Sequence, residues 1–212
     1  MKYHTFRRQY LAGGLRRADL KNSPFDQFQV WLDQALSSEI RDPTAMVLST
    51  IDETGKPWQR IVLMKDFSKR GFVFFTNYNS AKGLAISNNS EVSLLFPWNE
   101  LDRQVIVGGK AEKLSKTDSE LYFKSRPRES KLVALFSDQS RSVEDRESMV
   151  ASVSALNQKY PGDEIPFPED WGGYLVTSSR MEFWQGGEHR LHDRFLYVLD
   201  VDQTWEIKRL QP

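Results

Sequence analysis

The middle of the chain alternates short hydrophobic runs with turn residues. From residue 44 onward, runs rich in Val, Ile, Thr and Phe are separated by segments such as DETG and SKRG, a pattern typical of antiparallel strands joined by hairpins. A second group of such runs occupies the last third of the chain. The pattern predicts about eight strands, drawn from the runs TAMVLSTI, PWQRIVLMKDF, GFVFFTN, EVSLLFPW, RQVIVGGKAEKLS, GGYLVTSS, RMEFWQGG, DRFLYVLD and TWEIKRL.

Helical periodicity lies between the groups of strands and does not follow each strand. Ser23 and Pro24 precede hydrophobic residues at helical spacing, and Ser80 is predicted to begin a short helix. The capping box TDSE at 117–120 and the run SVEDRESMVASVSALNQKY predict two more helices. This order favours an α+β fold built on a mostly antiparallel sheet or barrel, and disfavours a doubly wound parallel sheet. Residues 1–22 are basic and lack periodicity, so they are predicted to form an arm, with a single domain over 23–212.

Composition narrows the classes of function. The 212 residues include no cysteine, which excludes disulfides and thiolate metal sites. Lys plus Arg and Asp plus Glu each number 29, so overall charge does not favour nucleic acid or a membrane as the main partner. The start MKYHTFRRQY lacks the apolar region of a secretory signal, and no apolar stretch is long enough to span a bilayer. We therefore expect a cytoplasmic protein.

Two cations flank the run QRIVLMK. Arg60 and Lys65 differ in parity, so in a regular strand they point to opposite faces. Either the strand bulges or the two cations serve two separate anion sites. Two solvated charges at the ends of a strand are the alternative.

Three further segments carry groups suited to anions. In NSAKG, Ser80 and Lys82 lie at a predicted helix start, where free N–H groups, a hydroxyl and an ammonium can form a phosphate site. In YFKSRPRES, residues Tyr122, Arg126 and Ser130 surround a helix break and could hold a phosphomonoester. A surface lysine and a tyrosine packed on an arginine stem are the alternatives. Gln139 and Ser140 lie in a predicted loop between helices.

The stretch EFWQGGEHRLHDR, residues 182–194, concentrates ionisable side chains beside a tryptophan. We interpret it as a strand, the turn QGGE and a return strand, in which Arg190, His192 and Arg194 share one face. Such a face suits an anion or an electron-rich ligand, and salt bridges to Glu188 or Asp193 are the alternative. A metal site is disfavoured because the stretch has no helical HExxH frame.

The motifs together resemble the pyridoxine (pyridoxamine) 5′-phosphate oxidases. The resemblance rests on MEFWQGGEHRLHDR and takes in RRQYLAGGLRRADL, DPTAMVLSTID, QRIVLMK, SLLFPW, RQVIVGGKAEKLS, SRPRES and DWGGY, in the expected order over nearly the whole chain. It implies a split β-barrel homodimer, with FMN bound at the subunit interface.

The resemblance also implies residue roles. FMN contacts are expected at Arg60, Ile61, Val62, Leu63, Met64, Lys65, Phe75, Thr76, Lys82, Gln104, Gln139, Ser140, Trp184 and Arg194. The substrate phosphate is expected at Lys65, Tyr122, Arg126 and Ser130, with Arg190 and His192 as catalytic residues against the pyridine ring and Arg7, Arg8 and Tyr10 in a lid. On this interpretation Arg60 serves the cofactor phosphate and Lys65 the substrate phosphate.

The implied reaction is oxidation of pyridoxamine or pyridoxine 5′-phosphate to pyridoxal 5′-phosphate, with dioxygen as acceptor and hydrogen peroxide released. The chain departs from the family pattern at Phe75, where a tyrosine is usual, and at Ala81, where an arginine is usual. Loss of that cation predicts FMN binding weaker by about tenfold or more. The alternatives are a split-barrel flavin reductase acting on another substrate and a non-catalytic carrier of FMN or pyridoxal phosphate.

Overall fold

Nine antiparallel strands form one curled sheet in the computed structural model, which describes residues 9–10 and 14–212. The strands are β1 (Ala45–Ile51), β2 (Pro57–Leu63), β3 (Asp66–Ser68), β4 (Gly71–Asn77), β5 (Glu91–Trp98), β6 (Arg103–Lys113), β7 (Trp171–Gln185), β8 (Asp193–Leu199) and β9 (Trp205–Leu210). The helices are α1 (Pro24–Leu36), α2 (Ala81–Asn88), α3 (Lys116–Ser125), α4 (Arg128–Phe136) and α5 (Arg146–Lys159). The predicted α+β class and mostly antiparallel sheet are confirmed.

The strand order is β2-β1-β5-β6-β7-β4-β3, and β8 and β9 extend from β7. Strand β7 is long enough to hold two neighbours on one edge. Strand β4 pairs with its first half, from Trp171, and β8 pairs with its last residues, to Gln185. A bulge between Gly108 and Gly109 interrupts the β6–β7 register, and the sheet curls until β2 approaches β4.

Helix α1 fills the inside of the sheet. The ring of Phe28 is fully buried and lies 4.9 Å from the rings of Phe67, Phe72 and Phe96. Pro24 occupies the first helical position as predicted, although the Ser23 side chain makes no capping hydrogen bond. A smaller core beneath α3, α4 and α5 contains Phe123, Leu132, Ile165 and Trp171.

Four element boundaries differ from the sequence expectation. The run PWQRIVLMKDF is two strands, β2 and β3, because the chain leaves the ladder at Met64 and Lys65. Ser115 caps α3 by accepting from the Asp118 amide at 3.0 Å, so the helix begins before TDSE. Helix α4 was not predicted, and GGYLVTSS and RMEFWQGG form the single strand β7.

The predicted return strand was wrong at its start. Residues Glu188–Arg190 form a 3-10 turn, and β8 begins only at Asp193. His189 and Arg190 have φ values of 53° and 64°, in the left-handed region that a strand does not visit. Arg190 and His192 therefore do not share a strand face with Arg194.

Among the described residues, no helix combines the length and apolar character needed to cross a bilayer. The same residues contain no group of three or more His, Asp or Glu placed to hold a metal ion. Arg7 and Arg8, with the rest of 1–8 and 11–13, lie outside the described residues. The boundary of the arm at residue 22 stays a prediction, although Leu15 and Leu20 are buried in the main core.

Candidate active site

A cavity of about 290 Å³ opens between the edge strand β2, strand β4 and the helices α2 and α3. It brings together residues that are far apart in the sequence. Ten of the eleven lining residues belong to the predicted sites, and Trp171 is the addition; the lining is Ile61, Val62, Leu63, Lys65, Phe75, Thr76, Lys82, Tyr122, Arg126, Gln139 and Trp171.

The beginning of α2 supplies one side of this cavity. Ser80 caps the helix by accepting from the Gly83 amide, as predicted. Lys82 Nζ donates to Gln139 Oε1 at 2.7 Å, and Thr76 Oγ1 donates to the same oxygen at 3.0 Å. Burial, and then repulsion from Arg60, lowers the pKa of Lys82 to about 8. A half-buried ammonium beside a second cation and a helix N-terminus is a site for an anion.

Arg60 lies on the inner side of β2, where Nη1 donates to Leu48 O at 3.0 Å and Thr50 Oγ1 at 2.8 Å. Lys65 lies beyond the end of that strand and lines the cavity with Tyr122 and Arg126. The opposite-face argument therefore does not apply, because the two cations are not in one regular strand. The proximity of Arg60 to Lys82, and of Lys65 to Arg126, is compatible with two phosphates, and the assignment of each phosphate stays a prediction.

Helix α3 and the start of β7 supply the other side. The Tyr122 ring stacks on Phe75 at 3.8 Å between centroids. Arg126 Cζ lies 4.6 Å from the centroid of the Trp171 ring. Burial lowers the pKa of Arg126, and its Nη1 is buried without a hydrogen-bond partner among the described residues. Ser130 lies in the first turn of α4 but does not line this cavity.

The four cations Arg60, Lys65, Lys82 and Arg126 are without an ion-pair partner in the part of the chain that the structure describes. Uncompensated, partly buried positive charge is costly unless an anion binds. The cavity is therefore suited to phosphate groups.

A second group of predicted residues lies on β6, β7 and β8. Gln104 is directly opposite Trp184, and Trp184 is directly opposite Arg194, so the three side chains form one row on one face of the sheet. Arg194 is held by Glu182, with Nε to Oε1 at 2.8 Å and Nη2 to Oε2 at 3.2 Å.

His192 lies beside this row. Its ring is 4.7 Å from Trp184 and 5.1 Å from Tyr10 between centroids. The Gly187 amide donates to His192 Nδ1 at 3.1 Å, so a neutral ring carries its proton on Nε2. A Cβ at Gly186 would lie 2.5 Å from Tyr10 Cδ1, so glycine permits the close approach of Tyr10. Arg190 is exposed in the turn.

The two groups lie at opposite ends of β7. Trp171 is the first residue of that strand and Trp184 is the last but one. The two positions are 13 residues apart, which corresponds to roughly 40 Å along a fully extended strand. The two groups are therefore separated by most of the length of β7 within a single chain.

Two family models match this chain. A family model described as pyridoxamine 5′-phosphate oxidase matches residues 32–160, and one described as the pyridoxine 5′-phosphate oxidase C-terminal dimerisation region matches residues 171–212. The chain belongs to the pyridoxamine 5′-phosphate oxidase family. This membership confirms the resemblance inferred from the sequence motifs.

Relatives named pyridoxine/pyridoxamine 5′-phosphate oxidase match the whole chain. The one from Shewanella frigidimarina is 50% identical over 206 residues, covering 97% of each chain. The one from Teredinibacter turnerae is 50% identical over 212 residues, covering 100% of each. Among solved structures, PhzG from Burkholderia lata 383, in complex with tetrahydrophenazine-1-carboxylic acid, has a TM-score of 0.88 at 27% identity and covers 95% of this chain and 99% of its own. This similarity confirms the split-barrel fold of the family.

Two residues of the site were missed in the sequence. Trp171 lines the cavity and contacts Arg126, and Glu182 fixes Arg194. Trp171 belongs to the motif DWGGY, but nothing local indicates a role because its partners are contributed by β4 and α3. Glu182 could have been inferred, since residues 182 and 194 become neighbours once the hairpin register is known.

Proposed function

We propose that the chain is an FMN-dependent oxidase that converts pyridoxamine and pyridoxine 5′-phosphates to pyridoxal 5′-phosphate. The observation that carries the proposal is a cavity lined by the cations Lys65, Lys82 and Arg126, which have no acidic ion-pair partner among the described residues, in a chain of this family. Dioxygen is the proposed electron acceptor, with hydrogen peroxide as the second product. We expect the enzyme to act in the cytoplasm on these small phosphorylated substrates.

The residues present fit FMN. Lys82, Gln139 and the amides at the start of α2 would hold the flavin phosphate, together with Arg60. Ile61 and Leu63 keep 72% and 41% of their surface exposed on the edge strand, which leaves apolar area for a flat ring. Gln104, Trp184 and Arg194 would contact the flavin from a second chain.

The substrate would be held by both groups of residues. When bound, FMN would accept a hydride from the substrate and pass the two electrons on to dioxygen. Lys65, Tyr122 and Arg126 would bind the substrate phosphate, which fixes the pyridine ring in the cavity. His192 can donate a hydrogen bond from Nε2, because Nδ1 accepts from Gly187, and Arg190 would contact the ring beside it. Tyr10, packed on His192 and Trp184, would exclude water.

A homodimer would bring the two groups together. Ile61, Val47, Leu95 and Ile106 are successive partners across β2, β1, β5 and β6, so they form an apolar row on one face of the sheet. Gln104 and Trp184 lie on that same face, one row along. A second chain packed on this face would set its β8 end against the β2 edge of the first, with FMN between them. The matched C-terminal dimerisation region supports the homodimer.

The proposal is tested with purified protein reconstituted with FMN. Pyridoxamine 5′-phosphate is added in air, and pyridoxal 5′-phosphate and hydrogen peroxide are measured together. We expect equal amounts of both products. Flavin binding without turnover would contradict the oxidase assignment and favour a carrier. Equal efficiency on pyridoxamine itself would contradict the substrate-phosphate residues, and flavin reduction by NADH or NADPH without either product would favour a flavin reductase.

A further inference from the structure

Trp171 packs beneath the one guanidinium of the proposed substrate-phosphate site. Arg126 Cζ lies 4.6 Å from the centroid of its ring. The Trp171 ring is also nearly parallel to those of Phe75 and Tyr122, with interplanar angles of 16° and 6°. Trp171 therefore lies against two residues of the proposed phosphate site, Tyr122 of α3 and Arg126, which directly follows α3.

The kind of contact matters for the chemistry of Arg126. A guanidinium donates hydrogen bonds from its edge, in its own plane, whereas an aromatic ring attracts its face. A carboxylate partner would use two of the N–H donors and neutralise the charge. Contact with a ring does not neutralise the cation and does not use its N–H donors as a carboxylate would, which agrees with the buried Nη1 that has no partner among the described residues.

The position of Trp171 is itself fixed. It is the first residue of β7 and lies opposite Asn77 of β4. Asn77 Nδ2 donates to the side chain of Asp170 at 2.7 Å, and the Tyr78 amide donates to Asp170 O at 2.6 Å. Trp171 retains only 6% of its surface exposed. The ring, held in place on the sheet, can therefore hold Arg126, which lies at the junction between α3 and α4.

We propose that Trp171 is a positioning residue of the phosphate site, which holds Arg126 by its aromatic face so that the guanidinium edge meets the phosphate. The inference rests on the proposed function for the identity of the phosphate ester. It assigns to Trp171 part of the selectivity for phosphorylated over unphosphorylated ligand.

The test measures binding to the FMN-loaded protein by calorimetry, without turnover. The ligands are 4-deoxypyridoxine 5′-phosphate, which lacks the group to be oxidised, and 4-deoxypyridoxine. Trp171→Leu is expected to weaken binding of the phosphorylated ligand by roughly two- to thirty-fold and to leave the unphosphorylated ligand unchanged. Trp171→Phe retains an aromatic face, so its loss should be smaller. Trp205→Leu, which removes a tryptophan that packs on Phe25, should change neither ligand.

A double-mutant cycle separates positioning from general damage. In an Arg126→Leu background, Trp171→Leu should cause no further loss. Equal weakening of both ligands, or a loss that adds fully to that of Arg126→Leu, would overturn the inference. If Trp171→Leu does not fold, Trp171→Met takes its place in the same comparison. Binding of the phosphorylated ligand by a wild-type protein that does not oxidise pyridoxamine 5′-phosphate would refute the proposed function and leave this inference standing.

Discussion

Lys82 lies in the first turn of α2, where the helix dipole, burial and Arg60 all disfavour its positive charge. With a pKa of about 8, the Lys82 side chain loses its proton within the pH range in which enzymes are ordinarily assayed. A bound phosphate reverses the balance, because it favours the charged form. Protonation of Lys82 and anion binding are therefore linked.

We predict that FMN binds the apoprotein about tenfold more weakly at pH 9 than at pH 7, since about nine-tenths of Lys82 is then deprotonated. Fluorescence titration of FMN at both pH values checks this. Lys82→Met should bind FMN more weakly at pH 7 and show little change to pH 9. A wild-type affinity that is flat over this range would contradict the role of Lys82.

The same pKa has the opposite effect on folding of the apoprotein. The pKa of Lys82 is below its ordinary value of 10.5 in the folded chain, so between about pH 8 and pH 10.5 the unfolded chain binds more protons than the folded one. The contribution of Lys82 to apoprotein stability therefore rises with pH in that window. In urea unfolding of the apoprotein, replacing Lys82 by Met should stabilise more at pH 7 than at pH 10, and a larger gain at pH 10 would be inconsistent with a lowered pKa.

At the scale of elements, the bulge at Gly108 and Gly109 interrupts the pairing of β6 with β7 between the two ends of β7. Gly109 has no room for a side chain, since a Cβ would lie 1.9 Å from the backbone oxygen of Thr177. We predict that Gly109→Ala lowers the free energy of unfolding by more than about 2 kcal/mol, because backbone must move to accept the methyl group. Gly162→Ala is the matched control, with nothing within 4 Å of the added Cβ. Urea unfolding compares the two variants, and equal stability would show that the bulge tolerates a side chain.

The elements also show what could be predicted from the sequence. Helix α2 and its Ser80 cap were predicted correctly, because a cap and the periodicity behind it are local signals. The prediction that Arg190, His192 and Arg194 share one strand face was wrong. His189 and Arg190 have left-handed backbone conformations, so β8 begins only at Asp193. The alternation of side chains along a sequence run does not show at which residue the strand begins to pair with its neighbour. The same limit applied to Lys65, which leaves the ladder after β2.

At the scale of the whole molecule, the proposed site is incomplete in one chain. Arg126 belongs to the group at the start of β7, and Arg190 belongs to the turn that follows the end of β7. The family resemblance supplied both as substrate residues, but the sequence alone could not show that they lie at opposite ends of a strand. That separation follows from the 15-residue length of β7 and from its pairing with β4 and β8 at different ends.

A mixed dimer tests this arrangement directly. Arg126→Leu and Arg190→Leu should each abolish most activity as homodimers. In a mixed dimer that carries one change in each chain, one site would have both substitutions and the other would have neither. A mixed dimer isolated through two different affinity tags should therefore regain about half of wild-type activity, because one of its two symmetric sites is intact.

The matched control pairs two changes from the same group. Arg126 and Lys65 line the same cavity of one chain. In a mixed dimer of Arg126→Leu with Lys65→Met, each of the two sites therefore lacks one of these cations, and the dimer should stay nearly inactive. Recovery in this control would show that Arg126 and Lys65 serve different sites. Failure of the Arg126→Leu and Arg190→Leu pair to recover would contradict a site shared between two chains, because it would place both residues in a site built by one chain.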